Sequence, residues 1–339
     1  MTKSLPEHTI EKLYTEVGSI ITAARSTVYK TANTEMVKAY WSIGKLIVEE
    51  EQNGEDRAEY GKKIMGLLSK KLTKELGRGF SKSNLFNMRR LNLTYPIFQT
   101  LSGKLSWSHY CELLTISNTD ARSFYEKEAI NSNWSLRELK RQVESSLFER
   151  LVLSKGNSNK EKVLELSKKG LIINQPSDVV KDPYVFDFLR LPENKPFLEK
   201  DLELKLIRHI EDFLLELGKG FMYVGSQQRI TLGNEHYYVD MVFYNKALKA
   251  YVLIDLKIRK LKHIDVGQMN TYLNYFKAEV NEETDNDPIG IILCADKNEI
   301  EAEYALGGLN NQIFASKYVY HLPDKELLIR EVEKAIENK

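Results

Sequence analysis

The sequence predicts a two-domain α+β protein, with a mostly α-helical N-terminal half and a C-terminal α/β half in which a mixed sheet is flanked by helices. Three observations predict it. Apolar positions across residues 8–150 recur at helical spacing. Residues 153–162, LSKGNSNKEK, are polar and aperiodic and read as a linker. From about residue 198 an amphipathic helix is followed by short runs rich in β-branched and aromatic residues. A length of 339 residues also suits two domains better than one. The expected boundaries are a helical domain over 1–152, a connector over 153–197 and an α/β domain over 198–339.

In the first half, IEKLYTEVGSIITAARSTVY and EMVKAYWSIGKLIVEEEQ each read as a helix, and NGED as the turn after them. YGKKIMGLLSKKLTKEL is a further helix, stopped by GRG. In FSKSNLFNMRRLNLTYP, Ser81 or Ser83 can cap a helix that Pro96 closes. Two helices across a short Gly-containing turn match helix-turn-helix punctuation, although a plain helical hairpin has the same signature. Helices continue in SWSHYCELLTI, TDARSFYEKEAIN and SLRELKRQVESSLFERLVL. The connector is rich in Pro and Asp and reads as irregular. In the second half, FLEKDLELKLIRHIEDFLLELGKG is one amphipathic helix. FMYVGSQQRI, HYYVDMVFYN and KAYVLIDLKI are three strands joined by hairpin-sized connections. HIDVGQMNTYLNYFKAEV is helical, DPIGIILCA is a buried strand, KNEIEAEYALGGL a helix, SKYVYHL a last strand and DKELLIREVEKAIEN a closing helix.

The net charge of +1 singles out no partner, but its distribution does. Residues 1–150 carry five more basic than acidic side chains, and the remainder four more acidic than basic. Between residues 60 and 90, Lys62, Lys63, Lys70, Lys71, Lys74, Arg78, Lys82, Arg89 and Arg90 are opposed only by Glu75. Such a patch suits a polyanion; a solvated helix face is the alternative. On the second helix of the pair, Ser81, Lys82, Asn84, Asn87, Arg89 and Arg90 can contact phosphates and read base edges. Cys111 and Cys294 are too far apart in sequence to suggest a disulfide framework or metal knuckle, which fits a reducing compartment. No apolar leader and no run of about 18 apolar residues is present, so a cytoplasmic protein without a membrane span is expected. No phosphate-binding glycine motif suggests a nucleotide site.

One stretch carries chemistry. Asp255 and Lys257 flank Leu256 directly after Val252-Leu253-Ile254, a run that should be buried, where charge is costly. An acid-x-lysine triplet is weak evidence by itself: five occur, at Glu138–Lys140, Glu193–Lys195, Glu203–Lys205, Asp255–Lys257 and Glu337–Lys339. Only Asp255–Lys257 ends a buried strand, and only it follows a strand bearing another acid, Asp240. Residues 255 and 257 of a strand share a face, and the hairpin can bring Asp240 to it. Carboxylate oxygens at fixed positions suit a hard divalent cation, and the lysine can orient water or offset phosphate charge. The bland alternatives are an edge-strand charge for Asp240 and a snorkelling lysine for Lys257.

Around these residues the chain resembles the PD-(D/E)xK nuclease superfamily, and more narrowly the YhcG-type nucleases. LSWSHYCELL, FYEKEAINSNWSLRELKRQ and ERL carry the likeness in the first half. FLLELGKGFMYVGSQQRI, YYVDMVFYNKALKAYVLIDLK and VGQMNTYLNYF carry it in the second. The likeness spans roughly 10–320. It implies a restriction-endonuclease-like core behind a winged-helix-like helical domain, and Mg²⁺- or Mn²⁺-dependent cleavage of DNA. Asp240 stands at the first motif acid, preceded by Val239 rather than proline, and Asp255 and Lys257 at the (D/E)xK pair. The acid of the first core helix is Glu203, or alternatively Glu216. Gln268 matches the glutamine that follows the motif strand. Tyr272 shares its helix face, although a core role suits it equally. Gln228 is a weaker candidate. The resemblance further implies DNA contacts through Lys70, Lys71, Lys74, Arg78, Lys82, Asn84, Arg89 and Arg90, and homodimers by analogy with related nucleases. A nuclease-like core serving only binding or assembly is the alternative.

Overall fold

The structure, a computed structural model, describes residues 7–52, 57–153, 160–191, 198–307, 312–322 and 324–337. Most of the linker, 154–159, the stretch 192–197 with its Glu193–Lys195 triplet, and the side chains of Lys62 and Lys63 lie outside the described residues. The chain divides into two compact units. One comprises Met1–Arg122 with Glu128–Leu139, the other Ser123–Lys127 with Lys140–Lys339.

Among its described residues the first unit has helices and no strand: α1 (Glu7–Gln52), α2 (Arg57–Leu76), α3 (Lys82–Thr94), α4 (Trp107–Leu113) and parts of α5 (Thr119–Asn131) and α6 (Leu136–Glu144), besides a short 3-10 turn. The two helices expected before residue 52 are one, because KTANT between them holds neither Gly nor Pro to stop it. The second part of α1 packs on α3 through a cluster of Ile47, Met65, Leu85 and Met88. Gly44 permits that crossing: a Cβ there would stand 2.0 Å from the Met88 carbonyl oxygen. The α2–α3 turn uses Gly77 and Gly79, both at positive φ, and Ser81 caps α3 by accepting from the Asn84 N–H at 3.2 Å.

The second unit is built on a six-stranded mixed sheet. Its strands are β1 (Tyr184–Val185), β2 (Phe221–Leu232), β3 (Glu235–Asn245), β4 (Ala250–Lys260), β5 (Ile289–Asp296) and β6 (Gln312–Val319), in the order β1-β6-β5-β4-β3-β2. β2, β3 and β4 run antiparallel, while β4, β5, β6 and β1 run parallel. On one face, α9 (Glu199–Arg208) and α10 (Ile210–Leu217) press Leu202, Leu206, Phe213 and Leu217 onto Met241, Phe243, Val252 and Ile254. On the other, α11 (His263–Tyr275) and α12 (Glu299–Leu306) press Val266, Met269, Leu273 and Ala302 onto Val242, Leu253 and Ile292. Each fully buried Leu, Ile or Phe here contributes about 2 kcal/mol. β4 is covered on both faces, which is why its run reads as continuously apolar rather than alternating. Gly290 lets α11 seat on β5, since a Cβ there would meet Met269 Cγ at 2.6 Å.

Three further elements, in this second unit, differ from the sequence expectation. The long amphipathic helix is broken at His209, whose N–H bonds the carbonyls of both Lys205 and Leu206, into α9 and α10. The helix expected over SLRELKRQVESSLFERLVL breaks at Ser146, which takes φ 52°, giving α6 and α7 (Leu147–Leu153). The connector joins the core: after α8 (Lys160–Lys169), β1 pairs with β6, and Val179, Tyr184, Phe186 and Leu189 are buried in the main cluster. Its apolar residues are too irregularly spaced to show a period, which hid this from pattern reading. The unit closes with α13 (Lys325–Glu337).

Candidate active site

β3 pairs with β4 from Asn245 opposite Ala250 as far as Met241 opposite Ile254. Asp240, the next residue, takes over from the ladder with its side chain: its Oδ2 accepts the Leu256 N–H at 2.8 Å. The motif strand thus enters the site held by the first motif acid. Asp255, 1% exposed, and Lys257, 7% exposed, follow Leu253 on the α11 side of β4. Lys257 Nζ lies 2.7 Å from Asp255 Oδ2 and 3.5 Å from Glu199 Oε1. Tyr318 fixes the strand beneath by donating its hydroxyl to the Lys257 carbonyl at 3.1 Å.

The electrostatics follow from this crowding. Burial pushes the Asp255 carboxyl up to about 7; the Asp240 carboxylate adds to the rise and the Lys257 ammonium opposes it. Burial also raises Asp240, against the Leu256 N–H and Lys257. For Lys257, burial disfavours the ammonium, but Asp255, Glu199 and Asp240 outweigh it and hold the group charged. Each acid disfavours the ionisation of the other, which a further cation would relieve.

Glu203 and Glu216 separate clearly. Glu203, 6% exposed on α9, is raised by burial, relieved by a hydrogen bond from Gln227 and raised again by Asp240 and Glu199. Glu216 is brought elsewhere. Its carboxylate lies 2.8 Å from Arg150 and 3.6 Å from Arg141 and accepts the Val185 N–H at 3.0 Å, while its backbone carbonyl accepts from Lys181. Burial works against that carboxylate, but Arg150, Lys181 and Arg141 hold its pKa below the usual range. Glu216, the alternative to Glu203 as a metal ligand, thus lies in a buried ion cluster with Arg150, Arg141 and Lys181.

Gln268 on α11 donates its amide to the Tyr272 hydroxyl, which donates onward to the Tyr238 carbonyl at 3.1 Å. The Tyr272 hydroxyl is raised by burial first, and by the Asp255 and Asp240 carboxylates, so this relay borders the pair. Gln228 opposes Val239 in the hairpin; it is its neighbour Gln227 whose amide donates to Asp240 Oδ1, at 3.2 Å. Gln227 and Glu199 are the residues that sequence reasoning missed. Gln227 sits at φ 49°, a left-handed conformation inside a strand, where strain is retained only if surroundings hold it. Glu199 lies four residues before Glu203 on α9 and also accepts the Ile258 N–H at 3.3 Å; that i, i+4 spacing was the available signal.

The donor set suits a hard divalent cation. Asp255 Oδ2 is buried and, although Lys257 is near, no hydrogen bond is directed at it. Asp240 and Asp255 are oxygen donors short of positive charge. Among the described residues no group of three His, Cys, Asp or Glu side chains is gathered closely enough to hold a metal ion.

In the basic patch, Lys70, Lys71, Lys74, Arg78 and Lys82 are exposed. Asn84, Arg89 and Arg90 have partners within the unit. Asn84 bonds the Gly79 carbonyl and accepts from Trp107 Nε1 at 3.0 Å, Arg89 pairs with Glu51, and Arg90 donates to the Leu114 carbonyl. No helix among the described residues is long and apolar enough to cross a membrane.

Comparison with known proteins places this geometry in a family. Residues 177–333 match the YhcG PDDEXK nuclease domain, and residues 16–150 match the DUF1016 N-terminal domain. A relative from Escherichia coli (strain K12), named "Putative nuclease YhcG", is 37% identical over 354 residues, covering 95% of this chain and 93% of its own. Two solved structures align over part of the chain. One is a repair endonuclease from Pyrococcus abyssi (18% identity, TM-score 0.26, 39% of this chain and 50% of that chain). The other is an EndoMS–dsDNA2 complex (14% identity, TM-score 0.27, 40% and 51%). The chain thus spans about half the length of those solved proteins. By its two matched domains and its near full-length relative, the chain belongs to the YhcG family of PDDEXK nucleases.

Proposed function

We propose that the chain is a divalent-metal-dependent DNA endonuclease whose site is Asp240, Asp255 and Lys257, supported by Glu203, Glu199, Gln227, Gln268 and Tyr272. The observation that carries this reading is the buried aspartate pair beside a charged lysine at the end of β4. Asp240 and Asp255 would hold Mg²⁺ or Mn²⁺, which supplies Lewis-acid stabilisation of the phosphoryl oxygens and of an activated water. The protein's part is positioning. The Leu256 N–H and the Gln227 amide fix Asp240, and Glu199 holds Lys257 at 3.5 Å. The Lys257 ammonium then faces the developing phosphate charge and orients the attacking water. Cleavage of supercoiled DNA with Mg²⁺ tests the assignment: Asp255→Ala and Lys257→Ala should each lower the rate at least about a hundredfold while DNA binding persists. Undiminished cutting by Asp255→Ala would remove the site.

The same reading assigns DNA contact to Lys70, Lys71, Lys74, Arg78 and Lys82, with Asn84, Arg89 and Arg90 shaping the helices that display them. Replacing Lys71 and Lys74 with Ala should weaken DNA binding without regard to sequence and flatten its salt dependence by about one unit of slope per lost contact. Unchanged affinity would mark the patch as a solvated face. A second reading, a nuclease-like core serving only binding or assembly, draws on the missing three-acid group among the described residues. Calorimetric titration with Mn²⁺ separates the two, since a core without turnover chemistry would take up no ion.

A further inference from the structure

The first half of α1 takes no part in the nuclease reading. Residues 10–32 are exposed without interruption, a length of about 35 Å of helix. Apolar side chains recur along it at steps of three or four: Ile10, Leu13, Val17, Ile20, Ala24 and Val28, widened by Tyr14 and Ile21. They are well exposed, Leu13 at 60%, Ile20 at 67% and Val28 at 69%. Such a segment would not hold its shape alone in water. It contains Gly18 and many β-branched residues, among them Thr15, Val17, Ile20, Ile21, Thr22, Thr27 and Val28. Each costs about 0.5–1 kcal/mol relative to Ala, and even Ala-rich helices of this length are marginal. The Lys12–Glu16 pair at 3.9 Å is exposed and adds a few tenths of a kcal/mol at most. A contiguous apolar stripe on a poor helix former marks a surface that is covered in use.

We propose that residues 10–32 pair antiparallel with the same segment of a second copy of the chain. The charges single out this occupant. Glu7, Glu11 and Glu16 stand against Lys12 at one end, whereas Arg25 and Lys30 stand at the other in a stretch, 17–34, without any acid. Parallel pairing would set like ends together; antiparallel pairing sets unlike ends together. The spacing is also self-complementary. A twofold axis between residues 20 and 21 sets Glu11 level with Lys30 and Glu16 level with Arg25, so each end of the pair carries charge of both signs. The same inversion sets Ile20 beside Ile21, Val17 against Ala24 and Leu13 against Val28, so the apolar stripe meets itself.

Sedimentation velocity of the full chain over a concentration series tests this independently of any nuclease activity. The wild type should be a dimer, and Ile20→Glu should weaken self-association about a hundredfold, the usual cost at the centre of an interface. All of residues 10–32 are exposed, so these substitutions leave the packed core untouched. Reversing one end alone, Arg25→Glu with Lys30→Glu, should also weaken the dimer, and adding Glu11→Lys with Glu16→Lys should restore it. A monomeric wild type, a dimer indifferent to Ile20→Glu, or a charge-reversed pair without rescue would each overturn the proposal. The last result would point to parallel pairing or to a different protein on the stripe.

Discussion

Asp255 carries a carboxyl pushed up to about 7 inside a strand that is otherwise Val, Leu and Ile, with Asp240 at its side. This raised value has a consequence for stability. The folded protein binds the proton more tightly than the unfolded chain, so the contribution is fully present below the ordinary Asp value near 4. It is lost as pH rises through about 7. Asp255→Asn should therefore stabilise the metal-free protein at pH 8 by up to about 4 kcal/mol, and by little at pH 4. Thermal unfolding at the two pH values checks this; equal shifts at both would mean that Asp255 titrates normally. The gathering of Asp240, Asp255 and Lys257 was legible because charge at the end of an apolar strand contradicts burial unless it is offset. Gln227 was not legible, because its role rests on a left-handed backbone turn and a bond to Asp240 that leave no periodic trace.

At the scale of elements, the choice between Glu203 and Glu216 shows where spacing stops informing. Both lie on what reads as one amphipathic helix, and both are buried. The break at His209 and the arginines of α6 and α7, distant in sequence, give the two acids different surroundings. Glu216 belongs to a cluster that ties α7 and β1 to α10. Arg150→Ala leaves that buried carboxylate without its nearest partner and should destabilise the protein by about 3 kcal/mol. Arg150→Met combined with Glu216→Leu should recover most of the loss. Denaturant unfolding measures both, and a neutral Arg150→Ala would show that Arg141 and Lys181 suffice. The sheet was legible for the opposite reason: β3, β4 and β5 each carry a period or an uninterrupted apolar run. β1 was hidden because two residues are too few to show either.

For the whole molecule, the family assignment and the burial pattern agree on a nuclease core with an all-helical N-terminal unit among its described residues. The sequence divided the chain near residue 152, whereas compact packing divides it within α5 and α6, so that Tyr125, Gln142 and Arg150 serve the second unit. Helix periodicity continues smoothly through that point, so only tertiary packing reveals it. The central claim is that two aspartates on adjacent strands form a cation site. Its most direct test is anomalous diffraction from crystals grown with Mn²⁺. The account predicts a single strong peak coordinated by Asp240 and Asp255 and absent from Asp255→Asn crystals. A peak bound elsewhere, or none in a protein that still cuts DNA, would contradict it.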